Sequence, residues 1–495
     1  MQATARSRFG APSSVHSRCP AIHPGHQLAA VIETRVLSCK PPNYLPAGDD
    51  KNRINPRISP STWERASNDW RKINGCPASH GGDHRSVPGE EEMACERRTM
   101  RNLIIAAALS SLAFAFPSFA LPSQGHTQSP FFYKGFDLSS LKILEEGPPP
   151  AIYKDTARHN ETRPAEDILG DGGMNTVRLR IWVNPQDYPN QTANQYDLEY
   201  TLSLAQRFSR KGYRIYLDFH FSDTWADPGK QYPPAAWPKT VAGLATTLRG
   251  YVKDTLVAFQ KGGVHLSLVS LGNEIRHGML WPYGYVDVDT MPTAARIQNF
   301  TDFATIWASA RRGVDDAVRA GVTKPSVMIH IDDGWNRTLQ LDWFGALTGT
   351  GKVTTKDWDV FGFSFYPFYG TNATLGNLAD TLNTLAAKYN KPLHVVETDW
   401  PAICDGPDAP ELSDTSVPIS PLGQIEWVRD IVGVVRAVPH GLGQGVNYWE
   451  PTWLNNTGLG SACQEAILFT ADWSDWPNSV TGYSRISVDM FEVRT

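Results

Sequence analysis

Eight short runs rich in β-branched and aromatic residues recur beyond residue 130, and this rhythm constrains the fold more than any other feature. The runs are FFYKGFDLS, NTVRLRIWV, YRIYLDFHF, VHLSLVSLGNE, SVMIHID, DVFGFSFYP, LHVVETDW and GVNYWE. Amphipathic segments of helical period lie between most of them. In DLEYTLSLAQRFSRKG, for example, Leu198, Leu202, Leu204 and Ala205 share one side, and Gly212 ends the helix.

Strands that alternate with helices pair in parallel through right-handed crossovers. Eight such units, apolar on both faces, predict a closed (β/α)8 barrel (TIM barrel) of the α/β class. A doubly wound open sheet is the alternative, but no Gly-x-Gly-x-x-Gly motif follows the first run. We therefore predict one barrel domain over residues 121–495.

The first 120 residues differ in character from the rest. Residues 1–99 hold four of the six cysteines and no sustained apolar period, whereas residues 100–120 have the basic start, apolar stretch and small residues of a secretory signal peptide. A single-pass anchor is the alternative, but the apolar run is shorter than the roughly 20 residues that span a bilayer. We expect Met100 to be the true start, residues 1–99 to be an unstructured artefact of the gene model, and the mature protein to be secreted.

The predicted mature chain is acidic and contains a single cysteine pair. Residues 121–495 carry 31 Lys and Arg against 41 Asp and Glu, a formal net charge of −10. Such a surface argues against nucleic acids and anionic membranes as partners. Cys404 and Cys463 indicate a disulfide in a secreted chain; a metal site is less favoured, because no His or Cys stands at ligand spacing nearby. Six N-glycosylation sequons fit an extracellular glycoprotein, at Asn160, Asn190, Asn299, Asn336, Asn372 and Asn455.

Polar and aromatic residues follow the predicted strands at their C-terminal ends. In a (β/α)8 barrel these ends meet at one mouth, where the loops carry the chemistry. For any single residue of this kind, a hydrogen-bonded core position is the simpler explanation, but polar endings on successive strands favour a lined cleft. The predicted substrate-binding residues are Arg180, His220, Asp223, Trp225, Asn273, Tyr366 and Trp449.

Two of the strands end on a glutamate, Glu274 on the fourth and Glu397 on the seventh, across the mouth from each other. Cleavage of a glycosidic bond needs one carboxylic acid to protonate the leaving oxygen. In a retaining enzyme a second carboxylate about 5 Å away attacks the anomeric carbon. Arg180 and the Tyr366 hydroxyl are candidate donors that would keep Glu397 ionised, and Asn273, beside Glu274, is placed to hydrogen-bond a sugar 2-hydroxyl.

Several segments resemble the signature segments of glycoside hydrolase family 53, the endo-β-1,4-galactanases, within the clan of retaining (β/α)8 hydrolases. They are KGFDLSSLKILEEG, GMNTVRLRIWVNP, DFHFSDTWADPGKQ, SLGNEIRHGMLWP, FGFSFYPFYG and VVETDWP. The similarity covers nearly all of residues 131–453. The Asn-Glu pair after the fourth strand is shared by the whole clan, whereas DFHFSDTWADPGKQ is specific to this family.

The resemblance implies hydrolysis of the β-1,4-galactan side chains of pectin (type I arabinogalactan), with Glu274 as proton donor and Glu397 as nucleophile. It implies no cofactor. Some members bind calcium in the loops after the seventh and eighth strands, but here that region holds the cysteine pair, so we predict no metal. We also expect a monomer. A clan relative acting on mannan, glucan or xylan and a catalytically silent carbohydrate-binding barrel remain alternatives.

Overall fold

The computed structural model describes residues 131–185, 195–368, 372–406, 409–454, 463 and 465–492. The predicted extension (1–99), the predicted signal peptide (100–120) and the sequons at Asn190 and Asn455 lie outside these residues. None of the helices in the described part of the chain is both long and apolar enough to cross a bilayer.

Eight parallel strands close into a barrel, as the alternating pattern predicts. Each strand pairs with its neighbours in sequence, and the eighth pairs with the first. The strands are β1 (Tyr133–Asp137), β2 (Thr176–Ile181), β3 (Arg214–Phe219), β4 (Leu266–Leu271), β5 (Ser326–Ile331), β6 (Val360–Ser364), β7 (Leu393–Glu397) and β8 (Gly443–Tyr448).

Helices cover the outside of the barrel, and side chains that cap their first turns help to fix where they begin. Asp197 accepts a hydrogen bond from the Tyr200 amide at the start of one helix, and Thr240 and Ser420 cap two others in the same way. The α-helices are Leu141–Glu146, Ala165–Asp171, Leu198–Arg210, Val241–Lys261, Thr293–Asn299, Thr301–Arg319, Arg337–Gly349, Leu375–Tyr389 and Pro421–Arg436.

The main hydrophobic core lies between the strands and these helices. On β2, Val177, Leu179 and Ile181 belong to this core, whereas Thr176, Arg178 and Arg180 are buried polar residues at the alternate positions. A separate small apolar cluster contains Tyr216, Leu268, Met328, Val360 and Val396 from five different strands. Charged side chains therefore share the barrel interior with a small apolar cluster.

A four-stranded sheet that the sequence did not predict lies beside the barrel. Its strands are Phe469–Asp472, Val480–Ser484, Ala151–Asp155 and Glu161–Thr162, in that order. The Tyr153 hydroxyl donates a 2.8 Å hydrogen bond to the carbonyl of Thr452 in the loop after β8. This sheet thus supports one of the loops at the barrel mouth.

The predicted disulfide between Cys404 and Cys463 is confirmed, with the two Cα atoms 5.0 Å apart. It joins the loop after β7 to the loop after β8, across a sequence separation of 59 residues. In the chain-entropy model, closing a loop of this length stabilises the folded state by roughly 4 kcal/mol.

Removing the disulfide is expected to lower stability more than activity. A Cys404→Ser/Cys463→Ser double variant should lose roughly 4 kcal/mol in free energy of unfolding, because its unfolded chain regains the freedom of the open loop. Urea denaturation would measure this, with the reduced wild-type protein as the matched control. A midpoint equal to that of the oxidised, disulfide-bonded wild type would show that the bridge does not stabilise the fold.

Candidate active site

A cleft of about 410 Å³ opens at the C-terminal ends of the barrel strands. Both glutamates line it, so the structure brings together the pair that the sequence placed on opposite strands. Six other predicted residues also line the cleft, namely Arg180, His220, Trp225, Asn273, Tyr366 and Trp449.

A strained turn positions Glu274. Strand β4 ends at Leu271, and Gly272 follows with a φ of 108°, where a Cβ atom would lie only 2.6 Å from the Ile275 side chain. Glu274 itself adopts the left-handed conformation, with φ 47° and ψ 53°. A non-glycine residue in this region costs on the order of 1–3 kcal/mol, and such strain clusters at functional sites.

An irregularity in strand pairing positions Glu397. On the pairing of β6 with β7, Phe363 lies opposite Val395, but Ser364 lies opposite Glu397, so the register skips Val396. Such a bulge re-aims the side chains that follow it. As a result, the consecutive residues Val396 and Glu397 belong respectively to the small apolar cluster and to the cleft wall.

The two carboxyl groups lie close enough to act on one glycosidic bond. One oxygen of Glu274 lies within 4.8 Å of one oxygen of Glu397. Retaining glycosidases hold their carboxyl groups about 5–5.5 Å apart, whereas inverting enzymes need about 6.5–9.5 Å to accommodate a water molecule. The separation therefore matches direct attack by one carboxylate on the sugar.

The arginine that contacts Glu397 is Arg178, so the prediction that Arg180 does so was wrong. Arg178 Nη2 lies 2.6 Å from Glu397 Oε1 and 2.8 Å from Asp218 Oδ2, and Nη1 lies 2.7 Å from Asp137 Oδ2. All four side chains are buried. One cation thus serves three carboxylates at the centre of the barrel.

Arg180 supports the aromatic wall of the cleft instead. Its Nη1 lies 2.6 Å from Glu450 Oε1, and its guanidinium lies 4.3 Å from the ring centroids of both Trp225 and Tyr196. Trp225 in turn lies 6.0 Å from Trp449, centroid to centroid. This cation–π packing holds Trp225 in place as part of a surface on which a sugar ring can stack.

The surroundings raise the pKa of both glutamates, but that of Glu274 further than that of Glu397. Burial raises the pKa of Glu274 well above its ordinary value, and the negative charges of Glu397 and Asp332 raise it further. Burial also raises the pKa of Glu397, but the positive charge of Arg178 and a hydrogen bond from Tyr366 lower it. The Arg178 cation contacts Glu397 rather than Glu274. A single proton held by this pair of carboxyl groups therefore resides on Glu274.

His220 and Asn273 line the cleft with their polar atoms largely engaged. His220 Nδ1 accepts a hydrogen bond from the Ala226 amide, and burial lowers the pKa of His220, so its ring is neutral. Asn273 Oδ1 accepts from Arg178, and its Nδ2 donates to the Ala226 carbonyl. One Nδ2 hydrogen of Asn273 is left for a substrate hydroxyl.

Asp223 does not line the cleft, contrary to its prediction as a substrate-binding residue. Its Oδ1 accepts a hydrogen bond from the Asn184 amide and its Oδ2 accepts one from the Ala235 amide, at 2.9 and 2.8 Å. A carboxylate with two backbone donors fixes loop geometry. Asp223 therefore joins the loops after β2 and β3.

Glu274, His330 and Glu397 together form a possible set of metal ligands, since one ligand atom of each lies within 4.8 Å of the others. However, Arg178 already occupies Glu397 Oε1, and His330 Nε2 lies 2.8 Å from the Ser364 hydroxyl. One atom each of Glu397 and His330 is thus committed to another partner. The absence of a metal stays a prediction.

Several residues of the site escaped the sequence analysis. Arg178 was not predicted, although it alternates with Arg180 in RLRI, and that alternation was a usable signal that both point inward. Asp399 follows Glu397 by two residues in the segment VVETDWP and was not predicted as a site residue. The other cleft-lining polar residues that were not predicted are Asp227, Arg276, Asp332, Asp333 and Ser364.

A Tyr366→Phe variant should shift the pH dependence of the enzyme. The Tyr366 hydroxyl donates a 3.0 Å hydrogen bond to Glu397 Oε2, which favours the ionised form and holds the pKa of Glu397 down. Without this bond that pKa rises, less Glu397 is ionised at a given acidic pH, and the acidic limb of kcat/KM moves to higher pH. We expect a loss of about tenfold at the acidic end.

The matched control for this experiment is Tyr483→Phe, which removes a hydroxyl outside the cleft lining. Its pH profile of kcat/KM should overlay that of the wild type. If the acidic limb of Tyr366→Phe also stayed in place, Tyr366 would not tune Glu397.

Comparison with known proteins gives a consistent result. The sequence model of glycosyl hydrolase family 53 matches residues 133–482. The chain is 38% identical over 339 residues to an arabinogalactan endo-β-1,4-galactanase of Thermothelomyces thermophilus, covering 68% of this chain and 95% of that protein. It is also 38% identical over 351 residues to arabinogalactan endo-β-1,4-galactanase A of Aspergillus niger, covering 70% of this chain and 93% of that protein.

Solved structures agree with the sequence comparison. One of two fungal β-1,4-galactanases solved together superposes with a TM-score of 0.63 at 36% identity, covering 72% of this chain and 98% of that one. The family 53 catalytic domain of Ignisphaera aggregans superposes with a TM-score of 0.59 at 25% identity, covering 73% and 95% respectively.

Proposed function

Because the chain belongs to glycosyl hydrolase family 53 and is a glycosidase, we propose that it cleaves internal β-1,4-galactosidic linkages of type I arabinogalactan with retention of configuration. The single observation that carries the mechanism is the approach of Glu274 and Glu397 to within 4.8 Å. Relatives named as arabinogalactan endo-β-1,4-galactanases support galactan as the substrate over mannan or glucan.

In the first step, Glu397 attacks the anomeric carbon while Glu274 donates its proton to the departing glycosidic oxygen. Arg178 and Tyr366 keep Glu397 ionised, and burial keeps Glu274 protonated. The sugar becomes an ester of Glu397, and the rest of the chain leaves as an alcohol. An Asn273 Nδ2 hydrogen is placed to bind the 2-hydroxyl of the reacting sugar, a contact that strengthens in the transition state.

In the second step, the deprotonated Glu274 acts as the base that takes a proton from a water molecule. The water attacks the same anomeric carbon from the face that the leaving group vacated. Glu397 is released as a carboxylate, and Glu274 ends with the proton that it began with. Two inversions at one carbon give a product with the β configuration of the substrate.

An assay of newly formed reducing ends tests the substrate. Potato galactan should release oligosaccharides, while mannan and cellulose incubated in parallel should release few. Comparable release from mannan or cellulose would favour another β-glycanase of the clan. No release from any of the three would favour the catalytically silent barrel.

Secretion is part of the same proposal, because the polysaccharide substrate is extracellular and the segment 100–120 has signal-peptide form. The secreted protein should begin near Leu121. Amino-terminal sequencing of protein from culture medium measures this directly. A secreted product that retained any part of residues 1–99 would contradict the start at Met100.

A further inference from the structure

Asp399 is a buried carboxyl group in the cleft wall that the proposed mechanism does not use. It lies two residues beyond Glu397, is only 3% exposed, and lines the cleft together with Trp449. Its Oδ1 is buried and has no hydrogen-bond partner in the described part of the chain. Buried polar atoms are normally satisfied, so an unsatisfied one beside a reaction centre needs an explanation.

The backbone around Asp399 is held firmly on both sides. The Thr398 carbonyl accepts a 3.0 Å hydrogen bond from the Trp449 amide, and the Thr398 hydroxyl accepts one from Trp427 Nε1 at 2.9 Å. The Trp400 amide donates to the Tyr448 hydroxyl, and the Trp400 ring is fully buried. The main chain on either side of Asp399 is therefore fixed, while Oδ1 of its carboxyl group lacks a hydrogen bond in the described part of the chain.

We propose that Asp399 is a substrate-contacting residue that hydrogen-bonds a hydroxyl group of the galactosyl unit seated against Glu397 and Trp449. This inference rests on the proposed function. An ionised carboxylate without a cation is costly to bury, so Asp399 makes this contact as a neutral acid. Burial and the negative charge of Glu397 both raise the pKa of Asp399 well above its usual value.

A neutral carboxyl group offers one O–H donor and one carbonyl acceptor, which is the pair of functions that a sugar hydroxyl satisfies. Asparagine offers the same two functions in nearly the same shape. Leucine has a similar size and offers neither. The two substitutions therefore separate a polar contact to the substrate from simple filling of space.

The test is affinity for β-1,4-galactotetraose, measured by isothermal titration calorimetry in a Glu274→Gln background that prevents turnover. Adding Asp399→Leu should weaken binding about tenfold, the usual effect of losing one hydrogen bond, while adding Asp399→Asn should change it by no more than about twofold. The control, Asp405→Asn, removes a carboxylate from the exposed part of the same loop and should leave affinity unchanged.

Unchanged affinity in Asp399→Leu, or equal weakening in Asp399→Leu and Asp399→Asn, would overturn the inference. If the leucine variant does not fold, Asp399→Ala replaces it in the same comparison. Failure of the Glu274→Gln reference itself to bind the tetrasaccharide would instead overturn the proposed function. The two failures are thus distinguishable.

Discussion

A Glu397→Gln variant is expected to lose turnover of both galactan and aryl galactosides by a factor on the order of 10⁴ to 10⁶, the range seen when a catalytic nucleophile is removed. Glutamine preserves the shape of the side chain but cannot form the sugar ester. A good leaving group does not help, because the missing step is the attack itself. Initial rates on both substrates measure the loss, and thermal unfolding should show that the fold persists.

The shorter variant Glu397→Ala provides a sharper form of the same experiment. Azide can enter the space of the missing carboxylate and attack the anomeric carbon from that side. Only one inversion then takes place, so the product should be the α-galactosyl azide. A β-azide from this variant would mean that Glu397 is not the nucleophile.

A Glu274→Gln variant is expected to lose about 10²- to 10⁴-fold in rate on galactan, the usual contribution of general acid catalysis. The sugar leaving group needs a proton, and glutamine has none to give. An aryl galactoside with a good leaving group needs little protonation, so its first step should be largely spared. Its covalent intermediate should then accumulate, because no base activates water in the second step.

Azide should rescue this variant, since it attacks the intermediate without a general base, and the product should be the β-azide. The pH profile on galactan, whose sugar leaving group needs a proton, gives a second readout. The wild-type enzyme loses activity as pH rises through the raised pKa of Glu274, and that alkaline limb should be absent in Glu274→Gln. Responses exchanged between the two positions would show that the acid and the nucleophile were assigned the wrong way round.

The barrel and the two glutamates at its mouth were predictable because they depend on local patterns. Apolar alternation defined the eight strands, and a carboxylate at the end of a buried strand is costly unless it has a purpose. Counting strands then placed the two glutamates at the ends of the fourth and seventh strands, and in the structure Glu274 lies in the turn directly after β4 and Glu397 is the last residue of β7. The disulfide was predictable for an equally simple reason, because residues 121–495 contain no cysteines besides Cys404 and Cys463.

Contacts across the barrel were not predictable in the same way. Both arginines of β2 point inward, but which of them reaches Glu397 depends on strand tilt and on the bulge between β6 and β7. Arg178 makes the contact, and Arg180 pairs with Glu450. Neither fact can be read from the sequence of one strand.

Loop residues were the least predictable. Asp223 follows a strand as a catalytic residue would, yet its carboxylate binds two backbone amides because the loop folds back over it. The side sheet was missed because its strands are short and come from two parts of the chain that are far apart in sequence. Long-range pairing of this kind leaves little trace in local periodicity.

The most direct test of the central claim is to trap the covalent intermediate on the wild-type enzyme. A 2-deoxy-2-fluoro galactobioside with a good leaving group should react once and then turn over slowly, and mass spectrometry of the digested protein should locate the attached sugar. We predict that the adduct lies on Glu397. An adduct on Glu274 or Asp399, or hydrolysis that inverts the anomeric configuration without any adduct, would contradict the account.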